Sequence, residues 1–548
     1  GVIVAGAIFT LPALYILQGT YPDIVVDFYQ IFLSSLLGGV LGILFFIPFR
    51  KYVVKDMHGK YPFPEATATT QVLVSSQSKD GGQAKTLVIA SLIGGIYDYI
   101  VATFGWWAET VTSTASQWGH TLVEKTKLVV SCNTGAALLG LGYIVGLKYA
   151  FVIFAGSIFV WWIIIPLLGT YGSPEFQAMA PDVLFKDYAR MIGIGGIAMA
   201  GVIGIVKSWP IIMQAIGLAG RELKGKSTSV KEVRWQTDIS MKHIVAFITI
   251  ALIVVLLFFW FGVIHNVAQA VVAWLVVTVI AFLFTTVAAN AIAIVGTNPV
   301  SGMTLMTLIL ASIILVAVGL KGPAGMVSAL IIGGVVCTAL SMAGGFITDL
   351  KIGYWLGSTP AKQETWKFLG TLVSAATVGG VILILNQTYG FTTGQLAAPQ
   401  ANAMAAVIEP LMSGSGAPWA LYAIGAVLAI ILNFCKIPAL AFALGMFIPL
   451  ELNTPLLIGG AISWYVGSRS KDQALNSVRL EKGTLLASGF IAGGALMGVV
   501  SAAMRFAGIN LVDIKWMESN SAGVLAIVMY ILLIAYLAIS SLKAKEEK

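Results

Sequence analysis

The sequence predicts an all-α, polytopic membrane protein, and three observations carry that reading. Of 548 residues, 58% are hydrophobic and only 10% charged, against about 45–50% apolar and about 25% charged in soluble chains. The apolar residues gather in runs near the roughly 20 residues that a helix needs to cross about 30 Å of hydrocarbon. The basic residues fall mostly on one set of the intervening loops. Cytosolic, fibrous and disordered classes are excluded by the same composition, because so few charges could not cover a soluble surface.

Taken in order, candidate spans lie near 1–17, 27–48, 86–106, 126–146, 148–171, 187–218, 243–264, 267–289, 299–319, 322–343, 366–386, 417–433, 437–452, 454–467, 482–505 and 522–542. The two at 437–452 and 454–467 are short, and a re-entrant hairpin there reduces the count, so about 14–16 transmembrane helices are expected. With strict alternation, one set of loops holds twenty-three of the 32 Lys and Arg. The opposite loops hold only Lys125, Lys186, Lys321 and Lys515. The positive-inside rule then puts the basic loops and the C-terminus in the cytoplasm, with the protein integral to the plasma (inner) membrane.

Several motif classes fail on context. Gly220 to Ser227 matches the phosphate-binding pattern G-x-x-x-x-G-K-[ST], but it lies between two spans with no room for an α/β domain. It reads as a basic loop facing anionic lipid, and nucleic-acid binding is not expected from the net charge of +8. The segment around Arg234 and Asp238 looks like an interfacial lead-in to the next helix. Cys132, Cys337 and Cys435 lie far apart in apolar runs, so neither disulfides nor a zinc site is expected. No H-E-x-x-H or Ser/His pairing argues for an enzyme, and no cofactor is implied. A passive channel would call for a repeated filter or charged rings, which the sequence lacks.

The segments that depart from plain helix carry the functional expectations. Gly296-Thr297-Asn298-Pro299-Val300-Ser301-Gly302-Met303-Thr304 opens an apolar run with helix-loosening and hydroxyl residues. One reading is irregular backbone lining a substrate cavity; the other is an ordinary helix capped by Thr297 or Asn298 with Pro299 in its first turn. Asn290 adds nearby polarity. Lys60 to Leu73 places Pro62 and Pro64 before Glu65, which heads a helix too short to cross. Leu480 to Ser488, which contains Glu481, is the analogous late stretch, and Asp349-Leu350-Lys351 begins an amphipathic stretch to Gln363 that reads as an interfacial cytoplasmic helix. Proline-broken apolar segments, Phe9 to Pro12 and Phe447 to Pro449, suggest an internal repeat of two halves, 1–266 and 267–548. Asp98 stands inside a span, where ionisable groups usually serve function. It could carry a proton or partner Lys207 or a tyrosine.

Laid side by side, these blocks resemble the oligopeptide transporter family, which includes the yellow-stripe-like metal-chelate transporters. The carriers are N-P-V-S-G-M-T at 298–304, P-F-P-E-A-T-A at 62–68, D-L-K-I-G-Y at 349–354 with T-P-A-K-Q at 359–363, and E-K-G-T-L at 481–485. They stand in family order across most of the chain. The resemblance implies a secondary transporter of about sixteen spans that moves small peptides or metal chelates, usually with protons. On that basis Asn290, Asn298, Pro299, Ser301, Gly302, Met303 and Thr304 are the expected substrate-facing residues. Asp98, Glu65, Asp349, Lys351 and Glu481 are the expected coupling or gating residues. The opening at 4–14 looks like a family segment that follows earlier spans, so missing N-terminal spans are expected. A chain of this size can work as a monomer or a homodimer.

Overall fold

The computed structural model describes residues 2–56, 58–75, 82–115, 117–200, 233–295, 300–388, 399–413, 418–509, 511–517 and 519–544, with 202–204, 206, 209 and 391. Helices dominate, and the protein is an all-α integral membrane protein. Among the described residues eight helices are long and apolar enough to cross a membrane, and four shorter apolar helices of 10–17 residues accompany them. The chain divides into two compact units, each built from early and late segments.

The first unit comprises Gly1–Tyr61, Ile197–Ala293 and Thr297–Ala426. Its axis is the 35-residue helix Gly322–Leu356, nearly all of it buried. Helices Val2–Thr10, Phe28–Phe46 and Val300–Ala317 pack on it. The approach is close because small residues face it: a Cβ at Gly38 would lie 2.3 Å from the Val335 carbonyl oxygen, and one at Gly42 would lie 2.3 Å from that of Ala339. Small residues at such crossings let backbones touch where lipid offers no hydrophobic drive to associate.

The second unit comprises Pro62–Gly196, Ile294–Gly296 and Val427–Lys548. Helix Gly82–Tyr99 packs along Gln473–Phe506, and Ala136–Val145 packs on Leu450–Ser468. A Cβ at Gly142 would meet the Leu456 carbonyl at 2.4 Å, and one at Gly459 that of Leu139 at 2.3 Å. The described strands, Thr110–Thr112 and Ser131–Asn133, pair antiparallel with Val111 opposite Cys132.

Two expectations are corrected. Residues 126–146 are not one span: Lys127 adopts a left-handed φ of 58°, the chain runs extended into Ser131–Asn133, and helix begins only at Ala136. The stretch from Asp349 is not a separate interfacial helix. It forms the last turns of Gly322–Leu356, with Lys351 1% exposed, because nothing between Gly344 and Leu356 breaks the helix. At about 1.5 Å per residue this helix exceeds the hydrocarbon thickness, so its end reaches past it or the helix tilts. Ala5–Thr20 forms one apolar helix, with Leu11 helical and bonded to Ala7 at 2.9 Å just before Pro12. The region 437–467 forms Ala439–Phe447 and Leu450–Ser468, separated by extended backbone at Ile448 and Pro449.

Candidate functional site

Glu65 sits in the first turn of helix Pro64–Ser75, which spans about 18 Å and cannot cross a bilayer. Proline suits that first turn because its missing N–H would have no helical partner. Phe63 precedes it with φ 43°, a left-handed conformation uncommon for a side chain of that size, and is 1% exposed. Thr67 closes the turn, its N–H donating to the Phe63 carbonyl at 2.8 Å and its hydroxyl to that of Pro62 at 3.1 Å. The Glu65 side chain is exposed, yet enough protein surrounds it that lost hydration raises its carboxyl from 4.5 to about 7. Further along, Gln71 accepts a hydrogen bond from Ser488 at 3.1 Å on Gln473–Phe506. Glu481, exposed, lies two turns earlier on that long helix.

Asp98 lies within the span Lys85–Phe104 and meets backbone rather than a base. Its Oδ1 accepts the Ala136 N–H at 2.8 Å and its Oδ2 the Ala137 N–H at 3.3 Å. Helix Ala136–Val145 therefore has two of its free N-terminal donors satisfied by a carboxylate, with the favourable end of the helix dipole. Asn133 Oδ1 takes the Gly135 N–H at 2.8 Å. The ring of Tyr97 lies against Trp107, with centroids 5.0 Å apart. Lys207 lies outside the described residues.

In the first unit the charged groups collect where several helices start or end. Lys351 donates to the Val54 carbonyl at 2.7 Å and meets His58 Nδ1 at 3.0 Å. It also lies 5.1 Å from the Tyr354 ring centroid. Asp349 pairs with Lys367 on the following helix. Arg50, Asp238 and Glu364 form a further cluster that the sequence did not single out. Arg50 is 1% and Glu364 0% exposed. Arg50 pairs with Asp238 through Nε and through Nη2 at 3.0 Å, and Glu364 Oε2 accepts the Ile239 N–H at 2.8 Å. One signal could have found it: Glu364 is the sole acid of helix Pro360–Thr388.

Of the expected substrate-facing residues, Asn298 and Pro299 lie outside the described residues. Ser301 and Gly302 fall in helix Val300–Ala317, and Asn290 in Val267–Val295; their side chains are outside the description. Met303 and Thr304 are buried, Thr304 beside Cys337 together with Thr10.

In the second unit the break at Ile448–Pro449 is held by Asn453, whose amide donates to Ser157 Oγ at 2.6 Å and to the carbonyls of Ile448 and Gly445 at 3.2 and 3.3 Å. Ser157 itself donates to Gly445 at 2.8 Å. Arg190 stands 4.3 Å above the Phe447 ring. Among the described residues no group of three or more His, Cys, Asp or Glu is placed to hold a metal ion.

This geometry, carboxyls that can hold protons set among broken apolar helices, suits a carrier. Residues 1–505 match the family described as "OPT oligopeptide transporter protein". A Haemophilus influenzae protein described as "Putative oligopeptide transporter" is 26% identical over 547 aligned residues, covering 91% of this chain and 84% of that protein. With nearly its whole length matched, the chain belongs to the OPT oligopeptide transporter family.

Proposed function

We propose that this membrane transporter carries small oligopeptides or related peptide-like compounds across the plasma membrane by proton symport. The family match and the name of the Haemophilus influenzae relative support peptide as the substrate class. The observation that carries proton coupling is Glu65: an exposed carboxyl raised to about 7 can gain and lose a proton near neutral pH. In this reading the segment Asn298 to Thr304, with Asn290, faces the substrate. Glu65 and Asp98 serve coupling, while Asp349, Lys351 and Glu481 serve gating. The basic loops face the cytoplasm, supported by the one-sided distribution of Lys and Arg. The halves 1–266 and 267–548 act as a repeat, supported by the proline-containing apolar segments Phe9 to Pro12 and Phe447 to Pro449.

The test is uptake into proteoliposomes of a panel of di- to pentapeptides, glutathione and iron chelates, with and without an inward proton gradient. Peptide uptake is expected to rise with the gradient, and Glu65→Gln to flatten its pH dependence. Indifference of the wild type to the gradient removes the symport claim, and uptake of chelates alone replaces the substrate class.

A further inference from the structure

We propose that Asp238 and Glu364 together form a proton-binding site, in which one proton on Glu364 is donated to Asp238. The site lies within the first unit, where three chain segments meet. Arg50 follows helix Phe28–Phe46, Asp238 leads into Met241–Phe259, and Glu364 lies in the second turn of Pro360–Thr388. The Ala361 N–H also donates to the Thr237 carbonyl at 3.0 Å, so the last two segments touch through backbone as well.

The charge balance and the hydrogen bonds argue in the same direction. Two carboxyls face one arginine. Arg50 binds Asp238 and gives Nη2 to the Gln236 carbonyl at 3.1 Å. Glu364 is fully buried, and its bond to the Ile239 N–H sets it beside Asp238, the preceding residue, whose charge acts on it. Its Oε2 takes the Ile239 N–H, while its Oε1 is buried with no donor among the described residues. A carboxylate cannot donate to a carboxylate, so such a contact binds one proton between the two groups. That proton supplies the hydrogen missing at Oε1 and leaves one negative charge for one arginine.

Among the described residues, six other nearby cations are engaged elsewhere or exposed. Lys55 donates to Gln236 Oε1 at 3.0 Å, Arg234 to the Gly357 carbonyl at 3.1 Å, and Lys367 pairs with Asp349. Lys351 bonds Val54 and His58, and Lys242 and Lys362 are exposed. Loss of the proton leaves two anions, one of them the fully buried Glu364, against Arg50 and loosens the start of Pro360–Thr388 from residues 237–239. Binding of a proton is thereby linked to the position of a helix. Its use in transport rests on the symport reading above; the existence of the site does not.

Infrared difference spectroscopy of the purified full chain, titrated across pH in light and heavy water, reads a buried protonated carboxyl directly. The expected result is one such band in the wild type, lost in Glu364→Gln and shifted in Asp238→Asn. Absence of the band in the wild type, or its persistence unchanged in a folded Glu364→Gln protein, overturns the site. If Glu364→Gln does not fold, the wild-type titration and Asp238→Asn decide. Uptake is measured separately: Glu364→Gln should lose gradient-driven accumulation but keep peptide exchange at equal pH. A wild type indifferent to the gradient, with the band present, would refute symport and leave the site standing.

Discussion

The two units hold their buried acids in contrasting ways. In the first, Asp238 is held by a charged side chain, Arg50, and Glu364 lies beside them on the Ile239 N–H. In the second, Asp98 is held by the peptide N–H groups of Ala136 and Ala137 at a helix start. An acid on a helix N-terminus has its acceptors met by peptide N–H groups rather than by a basic side chain. Two acids sharing one arginine are satisfied only with a proton between them. The identity of the donor thus separates the two kinds of site.

Breaking the charged cluster should have the largest effect. Arg50→Ala leaves the buried Glu364 and the partly exposed Asp238 without this cation and should destabilise the protein by about 3–5 kcal/mol, read as a fall in the thermal midpoint in detergent. An unchanged midpoint would mean that the cluster is hydrated. Asp98→Ala removes two backbone acceptor contacts and should lower stability by about 1–3 kcal/mol, with Asp98→Asn falling between because one amide oxygen remains. Equal effects of Asn and Ala would indicate that charge, rather than acceptor count, holds the helix start. Ser157→Ala removes a neutral bond to Gly445 and a contact to Asn453 and should lower the midpoint by about 1 kcal/mol's worth.

The smallest stability effect is expected at Glu65, and it is a matter of pH. Its folded carboxyl is raised from 4.5 to about 7, so the folded state favours the protonated form. The stability this provides is complete below about 4.5 and is lost as pH rises through about 7. Glu65→Gln should therefore flatten the midpoint-against-pH curve across that window. A slope identical to the wild type would place the titration on another group.

Much of the fold was legible because membrane helices announce themselves by length and apolarity, as in Met241–Phe259 or Asn520–Leu542. The Pro62 and Pro64 signals likewise marked the short helix that Glu65 heads. What sequence alone missed lay in tertiary contacts. Asp98 stood out as a buried acid, but its partners are backbone groups of two alanines 38 and 39 positions away, which leave no side-chain signature. Arg50, Asp238 and Glu364 fall between the spans drawn from the sequence, where charged residues are ordinarily solvated, although the structure's span-length helices take in Asp238 and Glu364. Lys351 read as interfacial for the same reason, although it lies buried at the end of the first unit's axis helix.

The central claim, transport of peptide together with protons, is tested most directly by proton movement itself. Proteoliposomes containing a pH-sensitive dye, with the same pH on both sides, are given external peptide while its entry is followed by a radiolabel. The account predicts that the lumen acidifies as peptide enters. Peptide entry at a normal rate with no change in lumenal pH would contradict it.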